Sequence, residues 1–560
     1  MAVLTHPIPA DLTALCRSQT SLVWSGSLVA LGTFLGVSLL APLPAQATDV
    51  DLQVGVVQRF GGKPTDTLTL QAQPGERLTF RLQRNGQWQT VSSNAAKLSI
   101  VMQPLPQPRV EERVVLSTHR SFETAEDRAM GWRAKGIPVE IAQPGRWQVW
   151  ADRKLYNDQT LRRLLLQNVQ AQGNQTAFLD SQVVSQQPKA ALTVNGYRYL
   201  RDRIEIRASR GVIQVGPAAG DRAAADSPVP QRRYAGSLRL QPNAYGTYTL
   251  VNQVPLETYL RGVVPHEIGT WAAQPVLEAQ AILARTYALR NQRRFAIDGY
   301  HLCADTQCQV YNGLTGADPA TDQAIVSTRG QVLTYQNELV DALYSSSNGG
   351  ISAPFDDVWQ GTPRPYLQAK IDSIGSPWNL AQNSLANEQN LRAFIRQTSG
   401  FNEAGQSLFR WREQVRLPKL NQELQAYLKS RQHPLAGFNT IQKMEVTQRS
   451  ASGRVQTLRI QTDRGTLDLA RDDVRVAFEA PYSTLFYLDP IYDNNHRLSA
   501  YTFVGGGFGH GVGLSQTGSY YLGSLGWPST RILNFYFPGT QLQPLNQAIV
   551  FWRQPQNSQS

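Results

Sequence analysis

The chain has 560 residues, 41% of them hydrophobic and 17% charged. That length exceeds one ordinary domain, and the composition excludes a disordered chain. The formal charge of +12 points to an anionic polymer or surface, or to plain solubility, because net charge bears on association and not on fold.

Arg17 precedes an apolar stretch from about Gly26 to Leu43, which closes on Pro44-Ala45-Gln46-Ala47. The A-x-A pattern marks residues 1–47 as a secretory signal peptide. The alternative is an uncleaved membrane anchor, against which the run is short and broken by Pro42 and Pro44. The expected location is therefore the periplasm or cell wall. Membrane contact is expected only through this segment, should it stay uncleaved. Nucleic acid is not a normal partner outside the cytoplasm and is set aside.

Residues 48–103 alternate in the manner of strands (Leu52-Val54-Val56, Leu68-Leu70, Leu78-Phe80-Leu82) and predict a β-rich lead-in. Three prolines between Pro104 and Pro108 predict a linker. Residues 109–183 then read as two β-α-β units forming one small sheet under two helices. Their strands are Val114–Leu116, Ile137–Ile141, Trp147–Trp150 and Ala177–Leu179, and their helices lie near Ser121–Lys135 and Asp158–Gln172. This order loosely resembles the SPOR domain, a wall-binding module, and equally fits a plain ferredoxin-like domain. Strand patterns continue from Ala190 to Leu250, interrupted by a surface loop at Pro217–Pro230. Residues 546–560 read as a tail. The whole predicts an α+β, multidomain protein with mixed sheets, packed helices and a β-rich N-terminal region.

Glu267 sits on a turn between apolar elements, ahead of a predicted helix. Pro275 suits that helix's first turn, and Leu277, Ala281, Ala284 and Ala288 fall on one face. A partly desolvated carboxyl favours its protonated form, as a general acid requires. A glutamate that only caps the helix fits the same pattern.

Three separated blocks around this residue resemble the stage II sporulation protein D / LytB family, which includes the amidase enhancers. The first runs from Val251-Asn252 to Arg285-Thr286-Tyr287-Ala288. The second comprises Cys308-Gln309-Val310-Tyr311, Thr328 to Leu333, Tyr344 to Gly350, and Val358-Trp359. The third is Gly505 to Gln516 with Phe535 to Thr540. Together they place the family domain at 190–545. The resemblance implies a lytic transglycosylase acting on peptidoglycan glycan strands stripped of their peptides, with one Glu as acid and then base. Glu267 matches that Glu. His266 before it and Ile268 after it depart from the usual small or polar residue and Met, and His266 is expected to shift its pKa. The resemblance also implies a non-catalytic alternative: a glycan-binding protein that enhances a partner N-acetylmuramoyl-L-alanine amidase.

Cys16 lies in the signal, leaving Cys303 and Cys308. With His301 they supply three candidate ligands for a structural zinc, although the spacing is not C-x2-C. A local disulfide and free thiols are the alternatives. The resemblance implies a metal near the Cys308-Gln309 pair, with His before the second Cys, where this chain has Gln307. A metal-dependent hydrolase at these residues is a remote option. No cofactor is required for the single-Glu reaction.

The glycines at 507, 509, 511 and 513 suggest a nucleotide loop, but no Asp or Glu follows Gly511, so that reading is set aside. Instead they let backbone approach a sugar strand, with His510 and Gln516 lining the cleft, or they form a tightly packed turn with His510 bonded internally. Ser345, Ser346 and Ser347 lack a nucleophile elbow and read as substrate-orienting or structural. Trp359 offers a ring face to a sugar or packs in the core, and Tyr311 belongs to the substrate-binding set.

Overall fold

Alternation builds the first strands. In β1 (Asp51–Phe60), Leu52 and Val54 point inward and are fully buried. β2 (Thr67–Ala72) buries Leu68 and Leu70, and β3 (Leu78–Arg84) buries Leu78, Phe80 and Leu82. This is the period-two pattern of strands with one face on a core. β4 (Gln87–Ser93) forms a hairpin with β3. The computed structural model describes residues 49–63, 65–217, 231–431 and 433–553. The expected signal peptide, most of the expected Pro217–Pro230 loop and the end of the expected tail lie outside the described residues.

β5 (Ala95–His119) is 25 residues long and runs straight through the expected linker. It pairs antiparallel with β8 (Phe178–Val194), and the register between them breaks from Pro104 to Arg109. Proline cannot donate to a ladder, so a proline run inside a strand collects at a bulge. Pro104–Pro108 therefore sits at a register break within a long antiparallel pair and is not a linker between sheets.

Between β5 and β8 lie α1 (Phe122–Ala134), β6 (Val139–Ala142), β7 (Trp147–Ala151) and α2 (Gln159–Ala171). The Ser121 hydroxyl caps α1 by accepting the Thr124 N–H, and Asp158 caps α2 by accepting those of Thr160 and Leu161. The four strands lie in the order β6-β7-β5-β8, all antiparallel. They are not a separate small sheet. β9 (Tyr197–Arg201), β10 (Arg203–Gly216), β11 (Arg232–Pro242) and β12 (Tyr248–Pro255) continue the ladder. With the short strand Leu302–Cys303 they complete one thirteen-stranded sheet, whose main path runs from Leu302–Cys303 through β1, β12, β11, β10, β2, β5 and β7 to β6. The described residues, from 49 to 553, form one compact unit.

Three helices follow β12: α3 (Leu256–Leu260), α4 (Val264–Ile268) and α5 (Gln274–Arg290). The predicted face of α5 (Leu277, Ala281, Ala284, Ala288) is fully buried, and most of its other side is buried too. A helix covered all round must pair its charges. Arg285 does so with two 2.8 Å bonds to Glu257, and Arg290 with Glu338 and Asp341. Arg294, just beyond the helix, bonds Glu123 of α1 at 2.7 Å.

The strands Tyr344–Ser345 and Leu514–Ser515 pair in parallel. The chain between them makes two further three-stranded sheets around its own core, which includes Leu420, Leu424, Leu458, Ile460, Phe486 and Phe503. The protein is thus α+β with several mixed sheets. Among the described residues no helix is long and apolar enough to cross a membrane.

Candidate active site

α4 holds Glu267, a residue of intermediate exposure, with its carboxyl against a small set of polar groups. The Val310 N–H donates to its Oε1 at 2.6 Å, and the Tyr344 hydroxyl also hydrogen-bonds the carboxyl. Burial outweighs both donors and pushes the Glu267 pKa from its ordinary 4.5 up to about 7. At pH 7 a carboxyl at 4.5 would be protonated in roughly one molecule in 300, whereas one at about 7 is protonated in about half. That difference separates a usable general acid from a fixed anion.

Behind Tyr344 runs a directed chain. The Gln309 Nε2 donates to the Tyr344 oxygen at 3.0 Å, and the Gln309 Oε1 accepts the Tyr259 hydroxyl at 3.2 Å. Gln309 and Tyr259 are fully buried. Main-chain anchors hold α4 in place: the Gln516 Nε2 donates to the Glu267 carbonyl at 2.7 Å, and the Tyr520 hydroxyl to the Ile268 carbonyl at 2.9 Å.

His266 turns away from the carboxyl. Its ring Nε2 lies 2.8 Å from the Thr315 carbonyl, against Gly316. The groups that set the Glu267 pKa are burial, Val310 and Tyr344, and His266 is not one of them.

The other predicted site residues fall into a supporting layer. Tyr311 is shut off from solvent; its hydroxyl donates to Asn252 at 2.7 Å, and its ring packs on Tyr259. Ser347 is likewise enclosed and donates to Glu403 at 2.7 Å. Both build the site from within and do not line it. Ser345 donates to the Asn348 side chain and accepts the Gly511 N–H. Ser346 is half-buried, and its carbonyl accepts from Thr517. Gln516, expected to face substrate, spends its amide on the Glu267 backbone.

The glycines approach protein and not an open cleft. A Cβ at Gly507 would lie 2.8 Å from the Ser347 carbonyl, and one at Gly511 would strike the Arg454 guanidinium. The tightly packed turn is what forms. The His510 Nδ1 accepts the Val512 N–H at 3.0 Å, and its ring packs on Trp359 at 5.1 Å. Burial lowers its pKa to about 4, so the ring is neutral near pH 7.

Cys303 and Cys308 are joined in a disulfide, their Cα atoms 5.6 Å apart. Neither sulfur is a thiolate, and the His301 Nδ1 accepts the Gln53 N–H at 3.2 Å. The donor set does not fit a zinc ion, which needs deprotonated sulfur and a free imidazole nitrogen. The disulfide alternative replaces the zinc one.

Glu403 went unread in the sequence. It is fully buried and accepts the N–H groups of Asn348, Gly349 and Gly350 at 2.7, 2.8 and 3.2 Å, with the Ser347 and Ser515 hydroxyls besides. Next to it, Asp372 is held well above the usual carboxyl range by burial and by Glu403.

Comparison with known proteins agrees with this frame. Residues 244–335 match the sequence model of a family described as stage II sporulation protein, and residues 353–513 match a domain of unknown function. These residues, and the relatives that follow, agree with the resemblance to the stage II sporulation protein D / LytB family. The chain is 28% identical over 307 residues to the amidase enhancer of Bacillus subtilis, covering 50% of this chain and 40% of that protein. It is 26% identical over 351 residues to stage II sporulation protein D of the same organism, covering 59% of this chain and 87% of the relative. The stage II sporulation protein D of Bacillus amyloliquefaciens is 26% identical over 308 residues, covering 52% of this chain and 75% of the relative.

Proposed function

We propose that this chain is an exported lytic transglycosylase that cleaves peptide-free glycan strands of peptidoglycan, with Glu267 as acid and then base. The observation that carries this reading is the Glu267 carboxyl, sheltered and poised at about 7 by burial. Protonated, it gives its proton to the glycosidic oxygen, and the bond to the anomeric carbon breaks. The resulting carboxylate is met by the Val310 N–H and the Tyr344 hydroxyl. It then takes the proton of the sugar's own 6-hydroxyl as that oxygen attacks the anomeric carbon. A 1,6-anhydro end forms, Glu267 regains its proton, and no water is consumed. A hydrolase of the usual kind instead works with a pair of carboxylates.

The test is digestion of peptide-free glycan strands with products read by mass. Anhydro-terminated fragments are expected, and they should vanish in Glu267→Gln. The name of the amidase enhancer relative supports a second reading, a glycan-binding scaffold that stimulates an amidase of the wall. Intact strands retained by both the parent and Glu267→Gln, with faster amide cleavage by an added N-acetylmuramoyl-L-alanine amidase, would favour it.

A further inference from the structure

Trp271 is 69% exposed, an unusual place for the largest apolar side chain. A lone exposed tryptophan alone carries no meaning. This one is held in position. Its ring packs on Tyr520 with centroids 4.3 Å apart. Its indole lies over Gly269, where a Cβ would sit 2.9 Å from the ring nitrogen, and Gly269 has φ +76°, a conformation that favours glycine. Tyr520 is itself fixed, because its hydroxyl donates to the Ile268 carbonyl.

The position relates directly to Glu267. Gln516 and Tyr520 lie one turn apart on the helix Gln516–Ser524 and share a face. Gln516 bonds the Glu267 carbonyl and Tyr520 the next one, so one helix face carries both the reactive carboxyl's backbone and the tryptophan's support. The helix is also fixed to the scaffold: a Cβ at Gly523 would collide with Val276 of α5.

We infer that Trp271, backed by Tyr520, is a saccharide platform that stacks the apolar face of a pyranose ring in the strand entering the Glu267 site. The inference rests on the glycan-strand reading of that site. A rigid aromatic face suits this ligand, since a sugar ring offers C–H groups on one face and is uncharged there, while the indole loses little freedom on binding. The neighbouring exposed surface supplies the ring face, and the carboxyl supplies the chemistry.

The probe is a soluble N-acetylglucosamine tetramer, titrated calorimetrically into the full chain carrying Glu267→Gln, so that binding is read without turnover. Adding Trp271→Ala is expected to weaken Kd by about tenfold, and Trp271→Phe by no more than about threefold. Thermal melts should be unchanged in both, because the side chain is exposed. An unchanged Kd in Trp271→Ala overturns the inference, as does the absence of tetramer binding by the parent. Loss of capture of a protein partner with tetramer binding intact also overturns it. If strands are not cleaved by the parent chain but tetramer binding still depends on Trp271, the transglycosylase reading fails and the platform stands.

Discussion

Tyr344 accepts the side-chain amide of Gln309 at 3.0 Å, and that bond decides where its own proton points. With its oxygen occupied by a donor, the hydroxyl proton is free for Glu267, whose carboxyl it bonds. The bond favours the ionised form and opposes burial. Tyr344→Phe should therefore raise the Glu267 pKa further. In a pH–rate profile of strand cleavage, the basic limb of Tyr344→Phe should move to higher pH, with the plateau lower by about tenfold. A basic limb that stays in place would show that the hydroxyl does not tune the acid.

The raised pKa of Glu267 also bears on stability. The folded value of about 7 lies above the ordinary 4.5, so the native state binds the proton more tightly than the unfolded chain does. The stabilisation is fully present below about pH 4.5 and is lost as pH rises through about 7. Glu267→Gln has no such dependence. Its stability relative to the parent should grow between pH 4.5 and 8, by at most about 3 kcal/mol. Urea unfolding at the two pH values checks this, and a constant difference would contradict it.

The Cys303–Cys308 disulfide closes a short loop beside β1, where Leu302–Cys303 adds the last strand of the large sheet. A loop of this size gives about 2 kcal/mol in the chain-entropy account. A reductant should lower the melting temperature by a few degrees, and a metal chelator should leave it unchanged. The reverse outcome would restore the zinc reading.

Much of the helical structure was legible from local signals. Ser121 and Asp158 mark the starts of α1 and α2, and Pro275 and the small-residue face mark α5, because caps and periodicity act over a few residues. The joining of the lead-in and the two β-α-β units into one sheet was not legible. It depends on β5 continuing through three prolines, a pairing with β8 that no local pattern displays. At the site, apolar neighbours signalled the burial of Glu267, but the residue lies in the short helix α4 and not on the expected turn. Tyr344, Gln309 and Glu403 were not read as site residues, since their roles arise from contacts between distant segments. Ser347 drew notice as a hydroxyl near a sugar, when its partner is a buried carboxylate.

That carboxylate makes the last prediction. Glu403 accepts three successive backbone N–H groups and two hydroxyls with no exposure to water. It thereby shapes the segment that follows Tyr344, whose strand partner Leu514 comes at the far end of residues 346–513. Glu403→Gln keeps the size but aims an NH2 at groups that are themselves donors. One acceptor oxygen cannot satisfy five donors, and each buried donor left alone costs about 1–3 kcal/mol. Asp372, held protonated by burial beside Glu403, hydrogen-bonds the same carboxyl and loses part of its partner as well. The expected net loss is about 3 kcal/mol in urea unfolding. The loss should be local before it is global: hydrogen exchange at the amides of residues 348–350 should speed up while that of α5 does not. Because the same segment carries Tyr344, the basic limb of the cleavage profile should shift as it does in Tyr344→Phe. A destabilised variant with protected amides at residues 348–350 would mean that Glu403 supports the core without shaping the site.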